Sequence, residues 1–459
     1  MKKVHLPNVQ RIHFIGIGGI SMSGLAEVLL GDGYQITGSD ATQTHITDRL
    51  QSIGVPVAIP NAPENIPPDT DLVVFTAAIR ENNPEYQAAQ GMGKPLMERA
   101  ALLGKVIEGF PHTISVAGTH GKTSTTALMA EVLLAADLDP TISIGAHMVR
   151  TGQNYRVGNS GYFLLESCEY NNSYHHWHPN IAIILNIDPD HLDFFKTPEG
   201  VVQSFHRFAQ NVKDVLIIQQ GTMGFDQVTE RLSCRVVTFG EEGSGASYQA
   251  CHIEYDDFGR AHFDVVYEGE TLGHLAMPMP GQYNMLNALA SFAAGVEAGI
   301  APDTIARALS GAQGAKRRFE VKGHLPQGTL VIDDYAHHPT EIVACLAAAK
   351  KAAKGKVYTL FQPHTYTRTR NHLEDFCTAF AQSDEVVLLP IYAAREPFDP
   401  TISSLDLLEG IRANGGSAIH LHTFPEAVTH LTQCLQPTDV LITMGAGDVF
   451  KVGETLLST

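Results

Sequence analysis

The residues whose types and spacing most clearly indicate a chemical role form a glycine-rich turn, GTHGKT, that runs from Gly118 to Thr123. An apolar run at 112–117 precedes the turn, and a helix-like stretch at 124–136 follows it. Glycines allow backbone N–H groups to surround an anion, and the start of a helix adds the positive end of its dipole. Lys122 would reach the terminal phosphates, and the hydroxyl of Thr123 would hold Mg²⁺. The turn therefore predicts a nucleoside-triphosphate site.

This turn departs from the usual phosphate loop at one position, because Val116 stands where the standard spacing has a glycine. A glycine-rich turn between a strand and a helix would account for the glycines, but not for the GKT that follows a strand. We therefore interpret the segment as a variant phosphate cradle. The residues predicted to contact the nucleotide here are Gly118, Thr119, His120, Gly121, Lys122, Thr123 and Ser124.

A second glycine-rich turn, at 16–24, follows the first strand candidate and opens a helix. It is typical of a dinucleotide fingerprint, except that Ser21 occupies the place of the third glycine or alanine. Asp40 ends the next strand, where an acidic residue would bind ribose hydroxyls. The pattern indicates a nucleotide diphosphate rather than NAD, and a tight turn for helix packing is the alternative. The residues predicted to bind substrate here are Gly16, Gly18, Gly19, Ser21, Ser39, Asp40 and Thr76.

Two further side chains follow strand candidates of the middle region. Glu166 ends one strand, and a carboxylate at that place would hold the Mg²⁺ of the nucleotide. His191 lies just past the next strand and would help to bind a second metal ion or a carboxylate. Either residue alone is more often a solvated loop group, but their shared position beyond strand ends favours the functional interpretation. Thr123, Glu166 and His191 are the predicted metal ligands.

Near the C-terminal end, four strand candidates are each followed by a polar turn: DDYAHHPTE, QPHTYTRTR, PIYAAREP and MGAGD. Asp334 would support catalysis or hold a nucleotide. The histidines would bind a carboxylate, and the neighbouring arginines suit an anionic group. A capping or surface role is the alternative for each of them. The side chains concerned are His337, His338, His364, Arg368 and Arg370.

Parallel sheets would position these turns, because ligands bind beyond the carboxyl ends of parallel strands. Strand and helix patterns alternate at 11–76, resume after the phosphate loop and return after 311–318, which indicates α/β architecture. The stretch 240–270 is richer in Gly, Asp and Tyr and predicts antiparallel strands. We predict three domains, which comprise residues 1–108, 109–314 and 315–459.

Composition excludes several classes of protein. A chain of 459 residues is too long for one core, and a hydrophobic content of 44% is typical of a globular enzyme. A formal net charge of −18 argues against nucleic-acid binding, which needs a basic face. Six cysteines without a CxxC pair favour the cytoplasm. The first residues lack the pattern of a signal peptide, and no apolar run has membrane-spanning length, so we expect no membrane partner.

These motifs resemble those of the Mur ligases, and the resemblance covers nearly the whole chain. GIGGISMSGLAEVL with GSD resembles the UDP-binding first domain of that family. GTHGKTSTT, LNIDPDHLDFF, GQYNMLNALA and KRRFE resemble its ATP domain, and DDYAHHPTE, FQPHTYTRTR and IYAAREP resemble the C-terminal domain of members that add L-alanine. The resemblance implies a Rossmann-like N-terminal domain, a central P-loop ATPase domain and a Rossmann-like C-terminal domain.

The resemblance also implies an activity: ligation of L-alanine to UDP-N-acetylmuramate through an acyl phosphate, with ATP and Mg²⁺, in peptidoglycan precursor synthesis. It implies catalytic roles for Lys122, Glu166, His191 and Asp334. Asn287 and Arg318 would hold the nucleotide, whereas His338, His364 and Arg368 would serve the substrates. We expect a cytoplasmic monomer or weak homodimer.

Three other functions stay open at this point. A related ligase could add a preformed tripeptide to the same UDP-sugar. A nicotinamide-dependent dehydrogenase could be built on the first domain, although the GKT loop and Ser21 argue against it. The third is a non-catalytic binding protein that is switched by nucleotide binding. Two positions also depart from the family pattern, since Cys168 replaces an aspartate and Thr365 replaces a common arginine.

Overall fold

The computed structural model describes residues 4–76, 78–394 and 396–458, so Arg395 of the IYAAREP turn lies outside the described residues. The chain divides into two compact units. The first contains the residues up to Cys251, Val265–Gly273 and Asn287–Ala312. The second contains His252–Asp264, His274–Leu286 and the residues from Gln313 onward. This division does not test the boundaries predicted at 108/109 and 314/315, which stay predictions.

The first region alternates strands with helices, as its sequence predicts. Its elements are β1 (Arg11–Ile15), α1 (Ile20–Gly31), β2 (Gln35–Ser39), α2 (His45–Ser52), β3 (Val57–Ala58), β4 (Leu72–Phe75), α3 (Pro84–Gly91), β5 (Leu96–Glu98) and α4 (Arg99–Ile107). The strands form a parallel sheet in the order β3-β2-β1-β4-β5. The chain changes direction across the sheet beside β1, and such a switch point opens a ligand crevice at the carboxyl ends of the strands.

The second region begins with the strand that leads into the phosphate loop. Its elements are β6 (His112–Ala117), α5 (Lys122–Ala135), β7 (Thr141–Ser143), β8 (Tyr155–Arg156), β9 (Tyr162–Glu166), β10 (Ile181–Ile184), α6 (Leu192–Phe195), α7 (Pro198–Gln210), β11 (Val215–Gln219), α8 (Phe225–Thr229), β12 (Arg235–Glu241), β13 (Tyr248–Tyr255), β14 (Arg260–Tyr267), β15 (Glu270–Pro280), α9 (Gln282–Glu297) and α10 (Pro302–Ser310). The strand order is β15-β14-β13-β12-β11-β10-β6-β9-β7-β8. β6 pairs in parallel with both β10 and β9, so the phosphate loop leaves from the interior of the sheet.

The third region restores the alternation of strands and helices. Its elements are β16 (Glu320–His324), β17 (Leu330–Asp334), α11 (Pro339–Ala352), β18 (Val357–Phe361), α12 (Tyr366–Asn371), α13 (Leu373–Ala379), β19 (Glu385–Leu388), α14 (Ser404–Ala413), β20 (Ala418–His420), α15 (Phe424–Cys434), β21 (Val440–Met444) and α16 (Phe450–Ser458). The strand order is β16-β17-β21-β18-β19-β20. Only β16 runs antiparallel within this sheet, so all its other strands point their carboxyl ends to one edge.

Three central strands of the second and third sheets are buried along their whole length. β10, β18 and β21 contain no exposed residue, as expected of parallel strands that helices cover on both faces. Rigid strands of this kind hold the turns at their ends in fixed positions. None of the helices in the described parts of the chain is both long and apolar enough to span a bilayer.

Within the first unit, α1 packs closely against the second region. A Cβ atom placed on Gly24 would lie 2.3 Å from the ring of Tyr155, so only glycine fits at this crossing. Tyr155 is buried, and side chains in a close-packed interior cannot shift without displacing their neighbours. The helix that follows the first glycine-rich turn is therefore fixed in place by a tyrosine of β8.

We predict that Gly24→Ala lowers the thermal unfolding midpoint, because overpacking a filled core costs about 1–3 kcal/mol. Gly31→Ala is the matched control at the end of the same helix, since a Cβ there meets no atom within 4 Å. It should leave the midpoint unchanged or raise it, because alanine restricts the unfolded chain more than glycine does. Equal midpoints for the two variants in thermal denaturation would contradict this packing.

Candidate active site

The phosphate loop joins β6 to α5 through two glycines with positive φ. Gly118 has φ of +136° and Gly121 has φ of +84°, backbone conformations that residues with a Cβ rarely adopt. A Cβ on Gly121 would also lie 2.7 Å from Oδ1 of Asn287. The loop therefore needs both glycines, and Asn287, a predicted nucleotide ligand, lies directly against it.

The loop is bound to the NIDPD turn that follows β10. Asn186 closes on His120 from both sides: its Oδ1 accepts from the His120 N–H at 2.8 Å, and its Nδ2 donates to the His120 carbonyl at 3.1 Å. The N–H of Asp188 donates to Oγ1 of Thr119 at 2.9 Å, and Nε2 of His120 lies 3.3 Å from Oδ2 of Asp188. Thr119 and His120 thus fix the shape of the loop, and their contact with nucleotide stays a prediction.

Lys122 extends back over the loop and forms a buried ion pair. Its Nζ donates to the carbonyls of Gly118 and Thr119 at 2.5 and 2.9 Å and lies 2.9 Å from Oε2 of Glu169. The side chains of Lys122 and Glu169 are only 14% and 3% exposed. Burial alone would lower the pKa of Lys122, but the neighbouring carboxylates, chiefly Glu169, raise it above its usual value. The ammonium is therefore charged and held where phosphate groups would bind.

Thr123 and Glu166 form an oxygen-rich site beside that ammonium. Oγ1 of Thr123 donates to Oε1 of Glu166 at 2.8 Å, and the N–H of Gly145 donates to Oε2 at 2.6 Å. A Cβ on Gly145 would lie 2.9 Å from these carboxylate oxygens, so the glycine leaves the space beside them open. A hydroxyl and a carboxylate are hard oxygen donors that fit Mg²⁺. The structure thus brings two of the three predicted metal ligands together.

His191, the third predicted metal ligand, lies at the start of α6 with φ of +53°. Its Nε2 is 3.9 Å from Oε1 of Glu169 and 3.8 Å from Oδ2 of Asp190. Its ring also lies against Tyr170, with 5.0 Å between centroids. His191 and Lys122 therefore share the carboxylate of Glu169, and binding of a metal ion by His191 stays a prediction.

The first glycine-rich turn closes around Asp40. Gly16 has φ of +80°, and its N–H donates to the carbonyl of Ser39 at 2.8 Å. Oδ2 of Asp40 accepts from the N–H of Gly18 at 2.8 Å, and Oδ1 accepts from Ala41 at 2.8 Å. Asp40 therefore holds the turn at the end of β2, and its predicted contact with ribose would be an additional one.

The other residues predicted to bind substrate near this turn make the following contacts. The side chain of Ser39 is fully buried, and its hydroxyl donates a hydrogen bond to Glu85, so Ser39 has a structural role in the turn. Ser21, at the start of α1, accepts from Nη1 of Arg99 at 3.1 Å. Gly19 precedes the helix with extended backbone, and Thr76 directly follows β4, where its Oγ1 accepts from the N–H of Ala78.

Asp334 ends β17 and accepts two backbone hydrogen bonds in the second unit. Its Oδ2 accepts from the N–H of Phe319 and its Oδ1 from that of Ala336, both at 2.7 Å. Burial raises the pKa of Asp334 to about 6, against the opposing effects of Arg318 and these two N–H groups. The guanidinium of Arg318 lies 5.1 Å from the ring centre of Tyr335. Asp334 and Arg318 are therefore neighbours at one sheet edge.

The predicted substrate residues His364 and Arg368 meet beyond the end of β18. Nη1 of Arg368 lies 3.1 Å from Nδ1 of His364, whose ring contacts His337 and Tyr392 at 5.8 Å between centroids. Burial, with Arg368, lowers the pKa of His364 to about 4, and burial also lowers that of His337 to about 4. At neutral pH the cluster thus offers uncharged imidazoles beside the guanidinium of Arg368, which suits a carboxylate.

Two residues near this cluster act as helix caps. Nδ1 of His338 accepts from the N–H of Thr340 at 3.4 Å at the start of α11, while Glu341 accepts from the N–H of His338. Oγ1 of Thr365 accepts from the N–H of Arg368 at 3.4 Å and so caps α12. The threonine that replaces a common arginine therefore has a structural role here.

Three residues with clear roles were missed by the sequence predictions. Glu169 binds Lys122, Arg99 contacts Ser21, and Arg317 pairs with buried Asp333 at 3.0 Å between Nε and Oδ2. Arg317 also donates to the carbonyl of Gly445, which joins two of the polar turns. Glu169 lies three residues after Glu166, the last residue of β9, so the sequence indicated a second carboxylate near this strand end but not its partner.

Three family models match successive parts of the chain. They are described as "Mur ligase family, catalytic domain" at residues 11–111, "Mur ligase middle domain" at 116–295 and "Mur ligase, glutamate ligase domain" at 317–447. Their order agrees with the three sheets, and the predicted three-domain α/β architecture is confirmed.

Relatives named UDP-N-acetylmuramate–L-alanine ligase match over nearly full length. That of Lachnospira eligens is 43% identical and covers 100% of both chains, and that of Clostridium novyi is 44% identical and covers 98% of both. The solved UDP-N-acetylmuramate-alanine ligase of Thermotoga maritima is 28% identical, with a TM-score of 0.79 over 98% of both chains. A solved murein peptide ligase of Psychrobacter arcticus, 24% identical with a TM-score of 0.70 over 98% of both chains, shows the same fold. The chain belongs to the Mur ligase family.

Proposed function

We propose that this protein joins L-alanine to UDP-N-acetylmuramate at the expense of ATP, as a step in peptidoglycan precursor synthesis. The products would be ADP, phosphate and UDP-N-acetylmuramoyl-L-alanine. The observation that carries the proposal is the charged Lys122 held over a glycine loop beside the oxygen donors of Thr123 and Glu166. The names of the full-length relatives support the choice of substrates.

The chemical difficulty is that a carboxylate is a poor electrophile. Direct attack by an amine would have to expel oxide, whereas phosphorylation of the carboxylate supplies a good leaving group. We propose that the lactyl carboxylate of the sugar attacks the γ-phosphorus of ATP and ADP leaves. The alanine amine then attacks the acyl carbon, loses a proton and displaces phosphate. Splitting the reaction in this way lowers the barrier of each step.

The residues around the phosphate loop suit the first of these steps. The N–H groups at the start of α5 have no partners within the helix and would bind phosphate oxygens. The Lys122 ammonium would offset the negative charge that develops on the transferred group. Thr123 and Glu166 would hold Mg²⁺, which when bound neutralises charge on the phosphates. We propose that His191 assists at a second metal position.

We assign proposed roles to the other predicted residues from their positions at the edges of the sheets. We propose that the turn around Asp40, in a domain of residues 1–108, binds the UDP group, and that residues 109–314 bind ATP. In the domain of residues 315–459, His364 and Arg368 would hold the carboxylate of alanine, while Asp334 would contact the nucleotide. Six free cysteines are consistent with the cytoplasm as the site of action.

We expect phosphate release to require ATP, UDP-N-acetylmuramate and an amino acid together, with kcat/KM highest for L-alanine. The measurement is a phosphate-release assay with L-alanine, glycine, L-serine and the preformed tripeptide as acceptors. A higher kcat/KM for the tripeptide would overturn the choice of acceptor and leave the chemistry standing. ATP cleavage that ignores both the sugar and the amino acid would contradict the ligase function itself.

We predict that Lys122→Ala lowers kcat by at least about 10²–10³-fold, because a charge aimed at the transferred group is lost. The substitution leaves Glu169 buried without its cation, so the double variant Lys122→Ala/Glu169→Gln should be made as well. It should also be inactive while its thermal unfolding midpoint recovers toward that of the wild type. Lys105→Ala is the control, since Lys105 is a half-exposed lysine paired with Glu108, and it should retain full activity. Near-wild-type turnover by folded Lys122→Ala would refute the assignment.

A further inference from the structure

Three side chains with different metal-binding atoms meet in the second unit, away from all the predicted site residues. They are Glu385, the first residue of β19, and His430 and Cys434 on α15. One carboxylate oxygen, one ring nitrogen and the Sγ atom all lie within 4.8 Å of one another. Nε2 of His430 is already 2.8 Å from Oε1 of Glu385.

The fold itself brings these three side chains together. His430 and Cys434 are four residues apart on α15, so they lie on one face of the helix. The same helix packs its buried Ala427 and Leu431 onto the sheet. β19 runs parallel to β18, and Glu385 begins the strand, which places the cluster at the amino ends of the strands. The turns that contain Asp334 and His364 lie at the opposite edge of the same sheet.

The cluster is preformed but still open to solvent. The side chains of His430 and Glu385 are 31% and 25% exposed, and Cys434 is half-buried. A solute ion could therefore reach the donors without unfolding of the helix. The surrounding residues, which include Tyr358, Leu431 and Leu435, belong to the core and limit how far the three donors can separate.

We propose that Glu385, His430 and Cys434 form a binding site for a transition-metal ion of the zinc type. Imidazole nitrogen, thiolate sulfur and carboxylate oxygen are the donors that Zn²⁺ takes, and a water molecule would complete a tetrahedral set. Bonds of about 2.0–2.3 Å would place the donor atoms about 3.5 Å apart. Small rotations of half-exposed side chains achieve that spacing: the His430–Glu385 pair opens and Sγ moves closer.

Binding exchanges one set of bonds for another. The Cys434 thiol, which now donates to the carbonyl of Leu431 at 3.8 Å, gives its proton to the solvent and binds the ion as thiolate. Nε2 of His430 gives up the proton of its hydrogen bond to Glu385, which leaves the neutral imidazole protonated at Nδ1, and that hydrogen bond is replaced by two bonds to the ion. No electron is transferred. The ion would connect the end of α15 with the start of β19 and so stabilise this sheet against thermal unfolding.

The test uses the full-length protein, stripped of metal with a chelator, and Co²⁺ as a spectroscopic probe for Zn²⁺. One equivalent of Co²⁺ should produce a thiolate-to-cobalt charge-transfer band in the near ultraviolet, and Zn²⁺ should remove it. A large excess of Mg²⁺ should leave the band unchanged, because Mg²⁺ prefers oxygen ligands and octahedral geometry. Zn²⁺ should also raise the thermal unfolding midpoint of the wild type.

The variants decide whether the band comes from this cluster. Cys434→Ser should abolish it, and His430→Ala and Glu385→Gln should weaken Co²⁺ affinity by at least about 10-fold. Cys377→Ser is the control, since Cys377 is another half-buried cysteine in the same unit, and it should keep the band. Circular dichroism establishes that each variant is folded. Absence of the band in the wild type, or its persistence in Cys434→Ser, would overturn the proposal.

Discussion

The buried ion pair between Lys122 and Glu169 is the interaction on which the proposed phosphate site depends. A charged ammonium that is only 14% exposed needs negative partners, and it finds them in one carboxylate and two loop carbonyls. These contacts hold the cation over the glycine-rich loop that we propose to bind phosphate. Phosphate oxygens would offer the same cation similar charge without moving it far, so the site is organised before its substrate arrives.

The other predicted carboxylates also lie at the carboxyl ends of parallel strands. Parallel strands direct their carboxyl ends to one side, and the turns that follow contain the polar residues because helices cover the faces of the sheet. Asp40 after β2, Glu166 at the end of β9 and Asp334 at the end of β17 all occupy this position. Each carboxylate accepts backbone N–H groups, and these hydrogen bonds help to hold the turn in its observed conformation.

The sequence was sufficient to predict what depends on local pattern. The apolar run predicted at 112–117 coincides with β6, and Glu166 ends β9 as predicted, whereas the helix predicted at 124–136 begins two residues earlier, at Lys122. Contacts between distant residues could not be predicted. Nothing local indicates that Asn186 binds His120, that Tyr155 requires Gly24, or that Glu169 rather than Glu166 pairs with Lys122. Those pairings depend on how the strands are ordered in the sheet, which a single sequence does not reveal.

We propose that the charge arrangement around Lys122 serves transfer of phosphate to a carboxylate. The most direct test uses UDP-N-acetylmuramate labelled with heavy oxygen in its lactyl carboxylate, incubated with ATP, L-alanine and the protein. Mass spectrometry of the released phosphate should find one labelled oxygen for each amide bond formed, because the carboxylate oxygen that attacks phosphorus leaves with it. Unlabelled phosphate, with the label only in the amide product and water, would contradict the acyl-phosphate route.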